Sequence, residues 1–314
     1  MLQSGFSEGL FPNMPDKQYH ALQYASNSFM SSLADVYPEE AQYNRLNPKE
    51  PTTQQKFGTA THFAILQPDL LEKVYLVSPV CGATVKSTGK PCTASSTVLS
   101  KDGQWLCGTH SRSTELDPVQ PEFIDQKDFD AVRTIRDKVW KDTRARELLE
   151  ICTEREVAML FVDPLTGMKC KAKLDALGRS AGMITDVKTT ADLRLFHKSF
   201  YDWGYHRQSA FYTFGGTVLH QRGIIECAMD IFNFIVVDKS PPYVIGVFNT
   251  PDDQFELGMQ QLRPLMNLCA KCESTGIWPG HGWTWSGEKA IIEEIRIPTY
   301  GVREIERQSY LGDL

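Results

Sequence analysis

A chain of 314 residues, 41% hydrophobic and 23% charged, has the make-up of an ordinary globular protein. At about 100–200 residues per domain it allows one large domain or two smaller ones. A net charge of −6 excludes a surface that is basic throughout, and no apolar run approaches the roughly 18 residues of a membrane span, so no membrane association is expected.

The first 25 residues are rich in turn formers and read as irregular; they lack the basic start and apolar centre of a secretory leader, so a cytoplasmic location is expected. Residues 26–46, "SNSFMSSLADVYPEEAQYNRL", open on two good helix caps and predict a helix interrupted near Pro38. "TTQQKFGTATHFAILQP" predicts a cleaner helix: Thr52 and Gln55 have capping-box spacing, and Pro68 closes it. Gly58 and His62 lie four apart on one face of it, so close approach to the backbone is expected beside the imidazole.

Residues 78–118 change character. They are rich in Ser, Thr, Gly, Cys and Pro and read as an inserted module. Cys81, Cys92, Cys107 and His110 are spaced Cys-x10-Cys-x14-Cys-x2-His, with glycines and a proline to turn the chain around them. Such a set suits tetrahedral zinc, and metal binding would supply about 10 kcal/mol or more to a segment too polar to fold alone. An ordered loop with free thiols is the alternative. Of the other cysteines, Cys152, Cys170 and Cys227 read as buried packing, and Cys269-x2-Cys272 as a buried helical pair rather than part of an iron–sulfur cluster.

Residues 125–150 carry seven acids and seven bases around a stripe of Phe129, Val132, Ile135, Val139 and Leu148, which predicts one long amphipathic helix. Strands follow at 156–163 and 168–177, the latter alternating Lys169, Lys171 and Lys173 with apolar residues, and then "MITDVKTT" at 183–190. Two helices ("ADLRLFHKSFYDW", "YHRQSAFYTFGGTVL"), a hairpin of 230–238 with 243–249, and a long helix opened by Thr250 and Pro251 complete the pattern. This order predicts an α/β (α+β mixed-sheet) layer fold.

Asp186 and Lys188 are two apart in a strand and so share a face. A turn centred between Ser180 and Ala181 would set Asp175 opposite Asp186, with Cβ atoms about 5 Å apart. Two opposed carboxylates repel unless a cation sits between them, and hard cations such as Mg²⁺ favour carboxylate oxygens plus phosphate. Between residues 165 and 210, eight Lys/Arg stand against four Asp, a basic region on an acidic chain, as a phosphate-bearing ligand would require.

"LDALGRSAGMITDVKTT" resembles the PD-(D/E)xK nuclease motif, without the proline before the first acid. "DPLTGMKCKAKLDAL", "DVKTTADLRLFHKSFYDWGYHRQSAFY", "CESTGIWPG" and two N-terminal segments resemble, in order, the RecE-type (exonuclease VIII-like) branch over roughly residues 18–282, apart from the insert. The resemblance implies a restriction-endonuclease-like core, a central sheet flanked by helices. Its helical part would span residues 1–77, a zinc-binding insert 78–118 and the nuclease core 119–314.

The resemblance also implies roles. Asp175, Asp186, Lys188, Glu156 (with Glu154 as a rival), Gln208 and Tyr212 would form the catalytic set. His62, Asp175, Asp186 and Val187 would hold Mg²⁺ or Mn²⁺, two ions per site; zinc would be structural. The expected activity is 5′→3′ degradation of linear duplex DNA to make single strands for phage-type recombination. The expected partners are DNA ends, a single-strand annealing (RecT-type) protein and further copies in a trimeric or tetrameric ring. An endonuclease or repair nuclease on the same core, or a non-catalytic DNA-binding adaptor using the zinc module, are the rival readings.

Overall fold

The computed structural model describes residues 7–77, 79–117, 122–282 and 294–312. Ser78, Pro118 and Val119, where the insert was expected to begin and end, lie outside the described residues. In chain order the N-terminal part holds β1 (Gly9–Phe11), α1 (Asp16–Ala21), α2 (Asn27–Asp35), α3 (Pro38–Leu46), α4 (Thr53–Leu66) and α5 (Leu71–Val74). Short strands follow: β2 (Tyr75–Val77), β3 (Val98–Leu99), β4 (Trp105–Leu106) and β5 (Glu122–Ile124). Next come α6 (Gln126–Lys141), α7 (Thr143–Ile151), β6 (Glu154–Val162), β7 (Lys169–Gly178) and β8 (Met183–Thr190). The chain ends with α8 (Phe196–Asp202), α9 (Tyr205–Gln221), β9 (Ile231–Asp238), β10 (Ile245–Asn249), α10 (Asp252–Thr275) and α11 (Thr299–Gly312).

The central sheet is mixed, in the order β1-β6-β7-β8-β9-β10. β6, β7 and β8 form the expected meander, β8 and β9 run parallel through the α8–α9 crossover, and β9 and β10 form the hairpin. Crossing between parallel strands takes a long connection, which those helices supply. Two apolar cores cover the two faces. One joins α2, α9 and α10 to the sheet through Phe211, Phe232, Phe234 and Leu262; the other joins α4, α6 and α7 through Ile65, Ile135, Leu149 and Val187. The expected mixed α/β layer fold is thus the fold observed.

Local chemistry fixes the helix starts. Ser26 caps α2 through the Phe29 amide at 3.3 Å, and Thr52 with Gln55 closes both bonds of the capping box on α4. The predicted 125–150 helix is two helices. Asp142 accepts the amides of Arg144 and Ala145 and restarts the chain as α7. The break rephases the stripe, so Leu149 and Ala145 are fully buried while Leu148 packs only partly.

Three further readings are corrected. The first 25 residues are not irregular: β1 adds a strand to the edge of β6, and α1 covers β7. Lys171, which the alternation sets apart from its apolar neighbours, is buried all the same beneath α1, and its ammonium donates to the Tyr19 and Leu22 carbonyls. Cys227 is only half-buried, whereas the other cysteines expected in the interior are buried. None of the described helices is long and apolar enough to cross a membrane.

Candidate active site

The turn between β7 and β8 sets the register. Gly182 adopts φ +61°, and a Cβ there would lie 2.3 Å from the Ala228 carbonyl, so the tight return needs glycine. Ala176, Leu177 and Gly178 pair with Thr185, Ile184 and Met183 in the expected register, and the ladder then ends. β8 stays paired with β9 along its whole length, so β7 and β8 part at residues 175 and 186. Asp175 and Asp186 stand in that parting.

Their partners come from both faces of the sheet. His62 of α4 reaches Asp175 with Nδ1 3.2 Å from Oδ2, and the Val187 amide donates to the same oxygen at 2.8 Å. Gln208 of α9 donates from Nε2 to Asp186 Oδ1 at 2.7 Å, and the Lys188 ammonium pairs with Asp186 Oδ2. Each Asp186 oxygen therefore has a partner, Oδ1 the Gln208 amide and Oδ2 the Lys188 ammonium. Lys188 Nζ also lies 5.0 Å from the centre of the Tyr205 ring.

Burial dominates the electrostatics. It pushes the Asp186 carboxyl up to about 6, with Asp175 adding to the rise and Lys188 opposing it. Burial would raise Asp175 too, but His62, Lys188 and the Val187 amide outweigh it and hold that carboxyl below its ordinary value. For His62, burial is outweighed by Asp175, and the imidazole is raised. For Lys188, burial is outweighed by Asp186 and Asp175, and the ammonium holds its proton more tightly than usual. Two acids in one site are thus pushed apart, a pattern found where charge is used.

Glu156 and Glu154 separate cleanly. Glu154 is bound by Arg179 at 2.7 and 2.8 Å, away from the parting strands. Glu156 lies in a cleft of about 910 Å³ with His62, Lys173 and Asp175. It has φ +53°, a left-handed conformation that costs a non-glycine residue about 1–3 kcal/mol. The β6–β7 ladder skips it, pairing Arg155 with Ala176 and Val157 with Leu174. Burial first, then Asp175, raises its carboxyl, and Lys173 pairs with it at 3.0 Å.

Tyr212 lies one turn beyond Gln208 and is half-buried against Phe232, ring centres 6.0 Å apart. Burial, with Tyr19, Asp186 and Asp175 adding to it, keeps its phenol protonated. Gly58 also lines the cleft, but a Cβ there would meet only Thr189 Oγ1 at 3.7 Å, so the protein's own packing does not demand glycine.

Two neighbours escaped the sequence reading. Lys173 sits two residues before Asp175, and Tyr205 lies on the helix face of Gln208 and Tyr212 at i, i+3 and i+7. Both spacings are visible in the sequence; only the fold shows that those faces meet the carboxylates.

A second cluster lies in the insert. Cys81, Cys92, Cys107 and His110 place their ligand atoms within 4.8 Å of one another, the only group of three or more such side chains to do so among the described residues. His110 Nδ1 is 3.5 Å from Cys81 Sγ and 3.3 Å from Cys107 Sγ. Zinc bonds of about 2.0–2.3 Å give tetrahedral edges of about 3.5–3.8 Å, so the set fits that ion. The Cys107 thiol is held down at about 6, chiefly by the His110 amide. His62, Asp175 and Asp186 are not drawn as closely together as that cluster; His62 pairs with Asp175, and Lys188 with Asp186. Their chemistry fits a hard divalent cation: two carboxylates that supply oxygen ligands, and an imidazole.

Comparison with known proteins agrees with this geometry. Residues 28–290 match the model of a family described as "PDDEXK-like domain of unknown function (DUF3799)". No curated protein matches the chain. Among solved structures, one described as a "Putative exonuclease" from Eubacterium rectale superposes with a TM-score of 0.55 at 15% identity, over 92% of this chain and 97% of that one. At that identity the likeness is one of fold.

Proposed function

The chain belongs to the PDDEXK-like family DUF3799, and on that premise we propose that it is a metal-dependent exodeoxyribonuclease degrading linear duplex DNA from its ends. One observation carries the reading: a buried Asp186 and a half-buried Asp175 stand where β7 and β8 part, with the Lys188 ammonium against Asp186. Structural proteins avoid stacking carboxylates in this way, because each buried charge costs several kcal/mol unless compensated.

Phosphodiester hydrolysis needs a directed water, stabilised negative charge and a way to discharge the leaving oxygen. Asp175, Asp186 and His62, with Val187 beside them, would hold Mg²⁺ or Mn²⁺; when bound, two such ions supply Lewis-acid activation of both the attacking and leaving oxygens. Lys188 keeps its proton on Nζ and so presents an ammonium to the phosphate and its water. Gln208 fixes the rotation of the Asp186 carboxylate through Oδ1. The Tyr205 ring limits where the ammonium can swing, and Tyr212 offers a protonated phenol. Glu156, raised by burial and by Asp175, is placed to hold or release a proton in the cleft.

Attack on ends, 5′→3′ polarity and supply of single strands to an annealing protein are supported by the ordered RecE-type segments; a ring of copies around the duplex rests on the same resemblance. The Cys₃His cluster is proposed as a structural zinc centre that holds the insert folded. The test is digestion of one plasmid as linear and as covalently closed duplex. Mg²⁺-dependent loss of the linear form, with the circle intact and EDTA blocking the loss, is expected. Nicking of the circle would make the enzyme an endonuclease, and an intact linear form with Mg²⁺ would overturn the nuclease reading.

A further inference from the structure

Four residues before Asp175 on β7, Lys171 is only 8% exposed and makes no ion pair among the described residues. Its Nζ donates to the carbonyls of Tyr19 at 2.9 Å and Leu22 at 2.7 Å, which occupies two of its three hydrogens. The charged group that acts on it is another cation, Arg45. Burial, then Arg45, pushes the Lys171 ammonium down to about 8. Arg45 lies 4.4 Å over the Phe29 ring and pairs with Glu273 at 3.2 Å. Two cations with one carboxylate between them, one nearly buried, form a site short of negative charge.

Both open on a cavity of about 500 Å³ whose lining holds no acidic side chain. Ser26, Ser28 and Ser32 line it too, and the Oγ atoms of Ser26 and Ser28 are 2.9 Å apart at the start of α2. That start, whose Phe29 amide is capped by Ser26, adds the positive end of a helix dipole to the two cations. Tyr19 lines the cavity and also acts on Tyr212, whose phenol feels Asp186 and Asp175. Lys171 and Asp175 are separated by about 13 Å of strand, a distance over which a DNA strand with one phosphate per ~3.4 Å of axis presents about four.

We propose that this cavity is an anion site that takes a phosphate group of the DNA strand, gripped by Lys171, Arg45 and the start of α2. The inference rests on the nuclease reading for its ligand. The phosphate is either the monoester at a strand end or an internal diester, and the same chemistry serves both.

The experiment measures equilibrium binding by the full chain carrying Asp186→Asn, in EDTA, so that cleavage does not enter. Fluorescent duplexes differing only in a 5′-phosphate or 5′-hydroxyl are titrated against this parent and against the added changes Lys171→Gln, Arg45→Gln and Ser28→Ala. Lys169→Gln, at an exposed neighbour, controls for loss of one charge. If the terminal monoester binds, the parent favours the phosphorylated end by about tenfold, and Lys171→Gln or Arg45→Gln brings the ratio near one. If an internal diester binds, the parent treats both ends alike and those changes weaken both about tenfold, while Lys169→Gln does not. Affinities within about twofold of the parent in Lys171→Gln, Arg45→Gln and Ser28→Ala would overturn the site. Should Lys171→Gln fail to fold, the two other changes decide. A wild type that digests no duplex would sink the nuclease reading separately, since binding is read without cleavage.

Discussion

Asp175, one residue past the last β7–β8 pair, accepts at Oδ2 the main-chain amide of Val187, two residues past it, at 2.8 Å, so a side chain takes over where the ladder stops. The same oxygen meets His62, which ties strand, neighbouring strand and helix to one carboxylate. Position 175 therefore has a structural duty that is separable from its proposed chemistry. Asp175→Asn keeps an acceptor for the amide and should melt within a few degrees of wild type while losing digestion. Asp175→Ala leaves a buried amide without its partner and should cost about 1–3 kcal/mol as well. Thermal melting beside a digestion assay checks both; equal stability of the two variants would contradict the bridging role.

Asp186 makes the opposite trade. Its carboxyl is raised in the folded chain, so the native state binds the proton more tightly than the unfolded state does. Stability without metal therefore falls as pH rises from the ordinary carboxylate range through about 6, and the penalty persists above that. Asp186→Asn removes the titration. In EDTA it should melt above wild type at pH 7.5, with the advantage shrinking toward pH 4.5. Melting curves at the two pH values test the sign, and a wild type that gains stability relative to the variant as pH rises would contradict it.

Glu156 is held at φ +53° in the cleft. Relief of about 1–3 kcal/mol of strain by Glu156→Gly is offset by about 0.5–1 kcal/mol of chain entropy. The variant should melt at or above the wild-type temperature and lose digestion by about tenfold or more. Retained digestion would remove Glu156 from the mechanism, and Glu154→Gln, on the Arg179 side, should digest normally.

The cysteine cluster predicts about one zinc per purified chain, falling below about half an equivalent in Cys107→Ser. Hydrogen exchange should then accelerate in residues 79–117 and not in β6–β9. Zinc-free wild-type protein with unchanged exchange would contradict a structural metal.

The core motif was legible because strand period and turn position alone fix which residues approach each other. The β7–β8 register, the two capped N-terminal helices and the β9–β10 hairpin all follow from local spacing. The burial of Lys171 was not legible: its alternation with Cys170 and Ala172 is that of a solvated face, and α1 covers it from more than 140 residues away. Nor was the break at Asp142, where one carboxylate caps a new helix inside a continuous amphipathic pattern. Local periodicity carries no sign of such long-range cover, or of a cap that competes with continuation. The spacing to Gly58 singled out His62, but its place beside the carboxylates came only through resemblance, since a lone helical histidine gives no hint of the acid it meets.

Asp175, Asp186 and Lys188 are proposed to form one metal-dependent hydrolytic site. Single-turnover cleavage of linear duplex in Mn²⁺, comparing wild type with Lys188→Ala and Asp186→Asn, tests it most directly. Wild type should release nucleotides, and each variant should slow release on the order of 10³-fold while still binding the duplex. Variants that cleave within about threefold of wild type would contradict it.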